Sequence, residues 1–82
     1  MPTNLQRLAA LPPGTTATVA ELRVPVESRG RLMELGLVAN TPVEVLRFAL
    51  LGDPVEIKVR GYNLSLPRHE AEEIWVNVSS GA

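Results

Sequence analysis

The sequence predicts a mainly β fold: five short strands curled into a small, partly open barrel, with two short helices and one helical turn. Three observations carry that expectation. Gly or Pro interrupts the 82 residues about every ten to fifteen positions, the rhythm of short strands joined by turns. Val55, Ile57 and Val59 alternate with Glu56, Lys58 and Arg60, the two-residue period of a strand with one face buried. The stretch "RLMELGL", residues 31–37, spells a helix together with its stop.

The elements follow in order. Thr3 is placed to N-cap a short helix over Asn4–Ala10, with Leu5 and Leu8 on one face, and Leu11-Pro12-Pro13-Gly14 ends it. Thr15–Leu22 reads as the first strand, Thr16, Thr18 and Ala20 on one side and Ala17, Val19 and Glu21 on the other. Pro25 opens a second helix that runs to about Leu35, with Glu27 and Arg31 spaced as an exposed i,i+4 pair. Gly36 takes the left-handed position after that helix. Leu32 and Leu37 then fall on the two sites whose side chains meet in a Schellman cap. So short a helix does not hold in water by itself and has to pack on the strands.

Asn40 suits the third position of a type II turn over Val38–Thr41. From Val43 a strand alternates Val43 and Val45 against Glu44 and Leu46, and Gly52-Asp53-Pro54 turns the chain into the strand of Val55–Val59. Gly61-Tyr62 is expected as a type II′ hairpin loop, with Leu64 and Leu66 facing inward on the return. Pro67 starts a helical turn over Arg68–Glu73, Ile74–Val78 forms the last strand, and Ser79–Ala82 is expected to fray. Strands in this order, with a helix plugging one end, make a five-stranded barrel of the SH3-like type spanning residues 1–82 as a single domain.

Composition excludes several classes of function. Without cysteine there are no disulfides and no thiolate metal sites. No apolar run is long enough to cross a bilayer, so no direct membrane insertion is expected, and the first residues do not form a signal peptide. Eight basic and nine acidic residues are interleaved, for a net charge of −1. Nucleic-acid binding needs a concentrated basic surface, and this mixture offers none. Phosphate-cradling loops of the GxxxxGK or GxGxxG kind are absent.

Candidate chemistry is sparse. His69, the sole histidine, stands beside Glu70, Glu72 and Glu73, and His69, Glu70 and Glu73 are weak candidates for a hard divalent ion. The bland alternative is a solvated helical turn. Asp53 has no carboxylate partner for acid–base work and sits where an aspartate bonds backbone N–H groups, a role in the bend. No catalytic residue and no cofactor is expected. Apolar residues in exposed positions are more informative. Phe48, Leu50 and Leu51 crowd against the turn at Gly52, and they either fold back to cap the barrel or stand out as a docking tip; a tip is the expectation. Alternation in the last strand sets Trp75 opposite Ile74, Val76 and Val78, either as an interface anchor or as cover for the barrel's second face.

Nearly the whole chain resembles the FeoA family. The resemblance rests on "RLMELGL", the strand "VEVL", the turn "GDP", the run into "RGYNLSL", the closing "EAEEIWV" and the opening "LAALPPGTTATVAEL". It departs from the family where Ala39-Asn40 replaces a usual Pro-Gly, and where Pro67 replaces a usual arginine, so no role of that arginine carries over. The resemblance implies a small cytoplasmic SH3-like accessory protein of bacterial ferrous-iron uptake. Its implied partner is a membrane ferrous-iron transporter that bears a cytoplasmic GTP-binding domain, at whose inner face it acts without carrying iron. Related domains fused to metal-dependent DNA-binding repressors imply the alternative, a regulatory module for such a repressor. The resemblance leaves the oligomeric state open.

Overall fold

In the computed structural model, which describes residues 5–78, every strand is antiparallel to its neighbours and the sheet remains open. The elements are β1 (Leu5–Arg7), β2 (Thr16–Leu22), α1 (Val26–Glu34), β3 (Pro42–Phe48), β4 (Val55–Val59), β5 (Tyr62–Leu66), α2 (Arg68–Ala71) and β6 (Ile74–Val78), with 3-10 turns at Leu8–Ala10 and Leu50–Gly52. Across the sheet they run β1-β6-β2-β3-β4-β5. The N-cap expected at Thr3 and the fraying expected at Ser79–Ala82 lie outside the described residues.

The inward faces of the strands meet α1 and the 3-10 turn in one core. Leu8, Leu11, Val19, Leu32, Leu37, Val45, Val55, Ile57, Val59, Leu66, Ile74 and Val76 are all buried there. The alternation read from β4 holds, with Val55, Ile57 and Val59 buried and their partners Leu66, Leu64 and Tyr62 on the same face of β5. In β2 the weak alternation resolves with Ala17 and Val19 inward, before a bulge between Val19 and Glu21.

α1 ends as its sequence requires. The Leu37 N–H donates to the Leu32 carbonyl and the Gly36 N–H to the Met33 carbonyl, both at 3.0 Å, the paired bonds of a Schellman cap. Gly36 has φ +104°, and Leu32 and Leu37 close the clip in the core. The neighbouring hairpin completes this stop from outside. The Arg60 side chain lies against Gly36, and the Tyr62 hydroxyl donates to the Leu35 carbonyl at the helix C-terminus, where a cation is favoured. Asn40 has φ +71°, and the Thr41 N–H donates to the Val38 carbonyl, as the expected turn requires.

Three local expectations are corrected. Asn4–Ala10 is not a helix. Leu5–Arg7 is a sixth strand that pairs Leu5, Gln6 and Arg7 with Asn77, Val76 and Trp75, and Leu8–Ala10 turns the chain into the core. Seven residues nucleate a helix poorly, whereas an open edge of β6 supplies backbone partners at once, and the turn still buries Leu8. The hairpin loop is Arg60-Gly61, not Gly61-Tyr62. Val59 pairs with Tyr62 and both loop residues have positive φ, +51° and +85°, which makes a type I′ turn. Arg31 does not pair with Glu27 along α1; it reaches Glu70 in α2.

A Cβ on Gly36 would approach Arg60 Cδ to 3.0 Å, and the backbone there is left-handed, whereas a Cβ on Gly14, φ +91°, meets open space. Gly36→Ala is therefore expected to cost about 2–3 kcal/mol and Gly14→Ala about 1–2. Urea unfolding of the two variants side by side measures the difference.

Candidate docking surface at the turn between β3 and β4

The apolar run before Gly52 divides in two. Phe48 closes β3 opposite Val55 and packs, partly buried, against the core. Leu50 and Leu51 do the reverse, standing 88% and 94% exposed. The expected choice between capping the barrel and standing out is thus split between residues: Phe48 caps, and the two leucines form the tip.

The tip is a hydrogen-bonded turn. The Ala49 N–H donates to the Pro54 carbonyl at 2.9 Å and the Gly52 N–H to the Ala49 carbonyl at 2.8 Å, closing a turn within a turn. Leu51 holds φ +65°, a left-handed conformation that costs a residue with a Cβ about 1–2 kcal/mol. Glycine and asparagine relieve that cost at Gly36 and Asn40; here, as at Arg60 in the hairpin loop, the chain places a residue that pays it. Leaving two leucines in water also forgoes about 1.5–3 kcal/mol of burial for each. Folding alone does not account for Leu51 at this position.

Asp53 and Arg68 fasten the tip to α2. Asp53 Oδ1 accepts the Arg68 backbone N–H at 3.0 Å, so the aspartate caps a helical turn fifteen residues away in sequence. This is the structural role read from the sequence, with a distant N–H in place of a nearby one. One Arg68 Nη donates to the Gly52 carbonyl at 3.3 Å, and its Nε to Glu72 at 3.1 Å. A Cβ on Gly52, φ +81°, would stand 2.5 Å from that Arg68 Nη, so glycine is needed for both the turn and the close approach.

α2 is held in turn by α1. Glu70 is only 7% exposed and one of its oxygens pairs with the half-exposed Arg31, while its Oε1 is buried with no hydrogen-bond partner among the described residues. Burying a carboxylate without its cation is costly. With Glu70 committed to Arg31, and His69 and Glu73 exposed, the described residues include no group of three or more His, Cys, Asp or Glu side chains that could hold a metal ion.

Trp75 is half-buried on the outer face of the sheet. The guanidinium of Arg23 lies 4.5 Å from its ring centroid and that of Arg7 5.1 Å, within range for cation–π attraction. Glu21 orients Arg23 through bonds of 3.0 and 3.3 Å. The hydrogen bond from Arg23, and then its charge, hold the Glu21 carboxyl below its ordinary 4.5. Trp75 is therefore covered by two arginines and is not a bare anchor. Sequence reasoning missed Arg7 and Arg23 because both meet Trp75 through long-range pairing: Arg7 faces Trp75 in the β1–β6 ladder, and Arg23 follows β2, in which Glu21 pairs with Trp75. The spacing of Glu21 and Arg23, two apart across the end of β2, carried a local signal; Arg7 became relevant only once Leu5–Arg7 was a strand.

A family model described as the FeoA domain matches residues 6–78. The chain belongs to the FeoA family. That family is associated with ferrous-iron transport. The chain is 37% identical over 78 residues to a Porphyromonas gingivalis Fe(2+) transport protein A/Fe(2+) transporter FeoB fusion protein; the match takes in 90% of this chain and 9% of that protein. The solution structure of FeoA from Chlorobium tepidum superposes with a TM-score of 0.88 at 42% identity, over 94% of this chain and 73% of that one. The Stenotrophomonas maltophilia FeoA complexed with zinc, described as a prokaryotic SH3 domain protein, superposes at 0.73 with 27% identity, over 85% of this chain and 87% of that one. The SH3-like architecture read from the sequence is therefore the family's fold, here with six strands. No helix among the described residues is long and apolar enough to cross a membrane.

Two measurements test the ion pairs of Arg31 and Arg23. Arg31→Ala is expected to destabilise the FeoA chain by about 1–3 kcal/mol in urea, and adding Glu70→Gln to recover part of that loss by removing the stranded charge. The contribution of the Glu21–Arg23 pair is fully present above the unfolded pKa and is lost as pH falls through the lowered folded value. The fluorescence of Trp75, the single tryptophan, should therefore shift as pH drops below 4.5, and Glu21→Gln should show the shifted signal already at pH 7.

Proposed function

We propose that this chain is a non-catalytic, protein-binding accessory of ferrous-iron uptake. It docks on the membrane ferrous-iron transporter from the cytoplasmic side, at or beside its GTP-binding domain, through the tip formed by Leu50 and Leu51. The observation that carries this reading is Leu51 itself, an apolar residue 94% exposed and held at positive φ on a turn fastened to α2. A leucine that costs stability twice, by conformation and by exposure, is explained by a contact made with something else. That the something is the transporter is supported by the fusion relative, in which the two kinds of protein share one chain. The absence of membrane-crossing helices among the described residues suits a peripheral partner.

Leu51→Gly separates stability from function. Glycine relieves the left-handed strain and removes an exposed apolar side chain, so thermal stability should hold or rise by up to about 1 kcal/mol. Co-purification with detergent-solubilised transporter should fall about tenfold or more, as for a lost hot-spot residue. A variant that is both stable and fully bound removes the tip from the interface. Capture of a metal-dependent repressor in place of the transporter would favour the regulatory-module alternative.

A further inference from the structure

The sheet ends at β5, and the geometry of its hairpin tells which main-chain groups face outward. A two-residue loop closes on Val59 and Tyr62, which makes them a hydrogen-bonded pair. Antiparallel pairs alternate, so Ile57↔Leu64 and Val55↔Leu66 are also hydrogen-bonded while Lys58↔Asn63 and Glu56↔Ser65 are not. The N–H and C=O groups of Tyr62, Leu64 and Leu66 therefore point at β4, and those of Asn63 and Ser65 point away from the sheet. No other backbone bond reaches Asn63 or Ser65 among the described residues, and both are exposed. Two donors and two acceptors stand ready in strand geometry.

Nothing in the strand's own sequence blocks this edge. Tyr62-Asn63-Leu64-Ser65-Leu66 contains no charge and no proline, the devices that normally keep an edge from pairing. β1, at the opposite edge, has only three described residues and ends on Arg7. The rim beside β5 carries Leu64 and Leu35, both packed partly buried on the core, with Tyr62 fixed to the Leu35 carbonyl and the Arg60 side chain against Gly36. One end of β5 also meets the tip: Arg68, two residues beyond Leu66, donates to the Gly52 carbonyl.

We propose that β5 accepts an extended, uncharged segment of the transporter polypeptide as a seventh strand, in the manner of strand-addition recognition. Its small polar residues lie beside Asn63 and Ser65 and an apolar residue lies beside Leu64. This rests on the docking role proposed above and extends that contact along one continuous side of the molecule. The competing occupant is a second copy, because a two-fold axis at Leu64 sets Asn63 against Ser65 and makes four backbone bonds. That contact joins only the five residues of β5 on each side, whereas stable interfaces use roughly 20–30 a side. Docking at the tip adds Leu50 and Leu51 to the contact with the transporter, and in the fusion relative the two kinds of protein share one chain.

The test combines hydrogen exchange with one backbone variant, using the full chain and the FeoB transporter of the same organism purified in detergent. Binding is expected to slow exchange of the Asn63 and Ser65 amides by about tenfold or more and to leave Leu64, already bonded to β4, nearly unchanged. Ser65→Pro removes one outward N–H and no bond to β4, so it should keep the fold and weaken transporter binding about tenfold. Asn63→Lys, which puts a charge on the edge, should do the same and stands in if the proline variant does not fold. Binding without protection at Asn63 and Ser65, or undiminished binding by the variants, overturns the seventh strand and leaves the docking role standing. No binding by the unmodified chain overturns both. A concentration-dependent dimer that Ser65→Pro abolishes while transporter binding persists gives the edge to a second copy and overturns the proposal.

Discussion

Scarcity of buried apolar surface governs this molecule. A chain of this size buries a smaller fraction of its unfolded surface than a larger domain does, so each element has to contribute to one core and be held by more than its own propensity. α1 is three turns at most and survives because Leu32 and Leu37 clip its end into the core and the Arg60–Tyr62 hairpin closes over its carbonyls. α2 is shorter still and is held by Asp53 at its first N–H and by Arg31 at Glu70. Leu5–Arg7 joins β6 as a strand, which adds a ladder and carries Leu8 and Leu11 inward.

Against that scarcity, the leucines at the tip are the anomaly that points to function. Phe48, two residues earlier, is tucked onto the core, so the chain is able to turn apolar groups inward here. Leu50 and Leu51 are instead raised on a turn bolted to α2 through Gly52, Asp53 and Arg68. A backbone already bonded into its turn has less to order on binding, as in a preorganised contact. Trp75 shows the opposite arrangement. It was the other residue poised outward by alternation, and two arginines cover it.

What was legible in the sequence was local. The Schellman residues, the positive φ at Asn40 and the alternation of β4 each depend on neighbours within a few positions, and each stands as read. What was not legible depends on distant partners. Leu5 and Leu8 fit one face of a helix equally well, and only the edge offered by β6, some seventy residues on, makes Leu5–Arg7 a strand. Arg31 has a plausible acid four residues away yet pairs with Glu70, because α2 packs where Glu70 would otherwise be buried unpaired. The hairpin loop was misplaced by one residue, since the pairing of Val59 with Tyr62 puts the positive φ values on Arg60 and Gly61. The tip itself was half legible: the apolar run was plain, but its division between Phe48 and the leucines is set by the three-dimensional packing of β3.

The most direct test of the docking claim replaces Leu51 with a photo-crosslinking amino acid in cells that express the transporter, with Val26, an apolar residue of α1 that is 75% exposed, as the control position. The account predicts a covalent adduct with the transporter from position 51 and none from position 26. Adducts from position 26 and none from position 51 would contradict it.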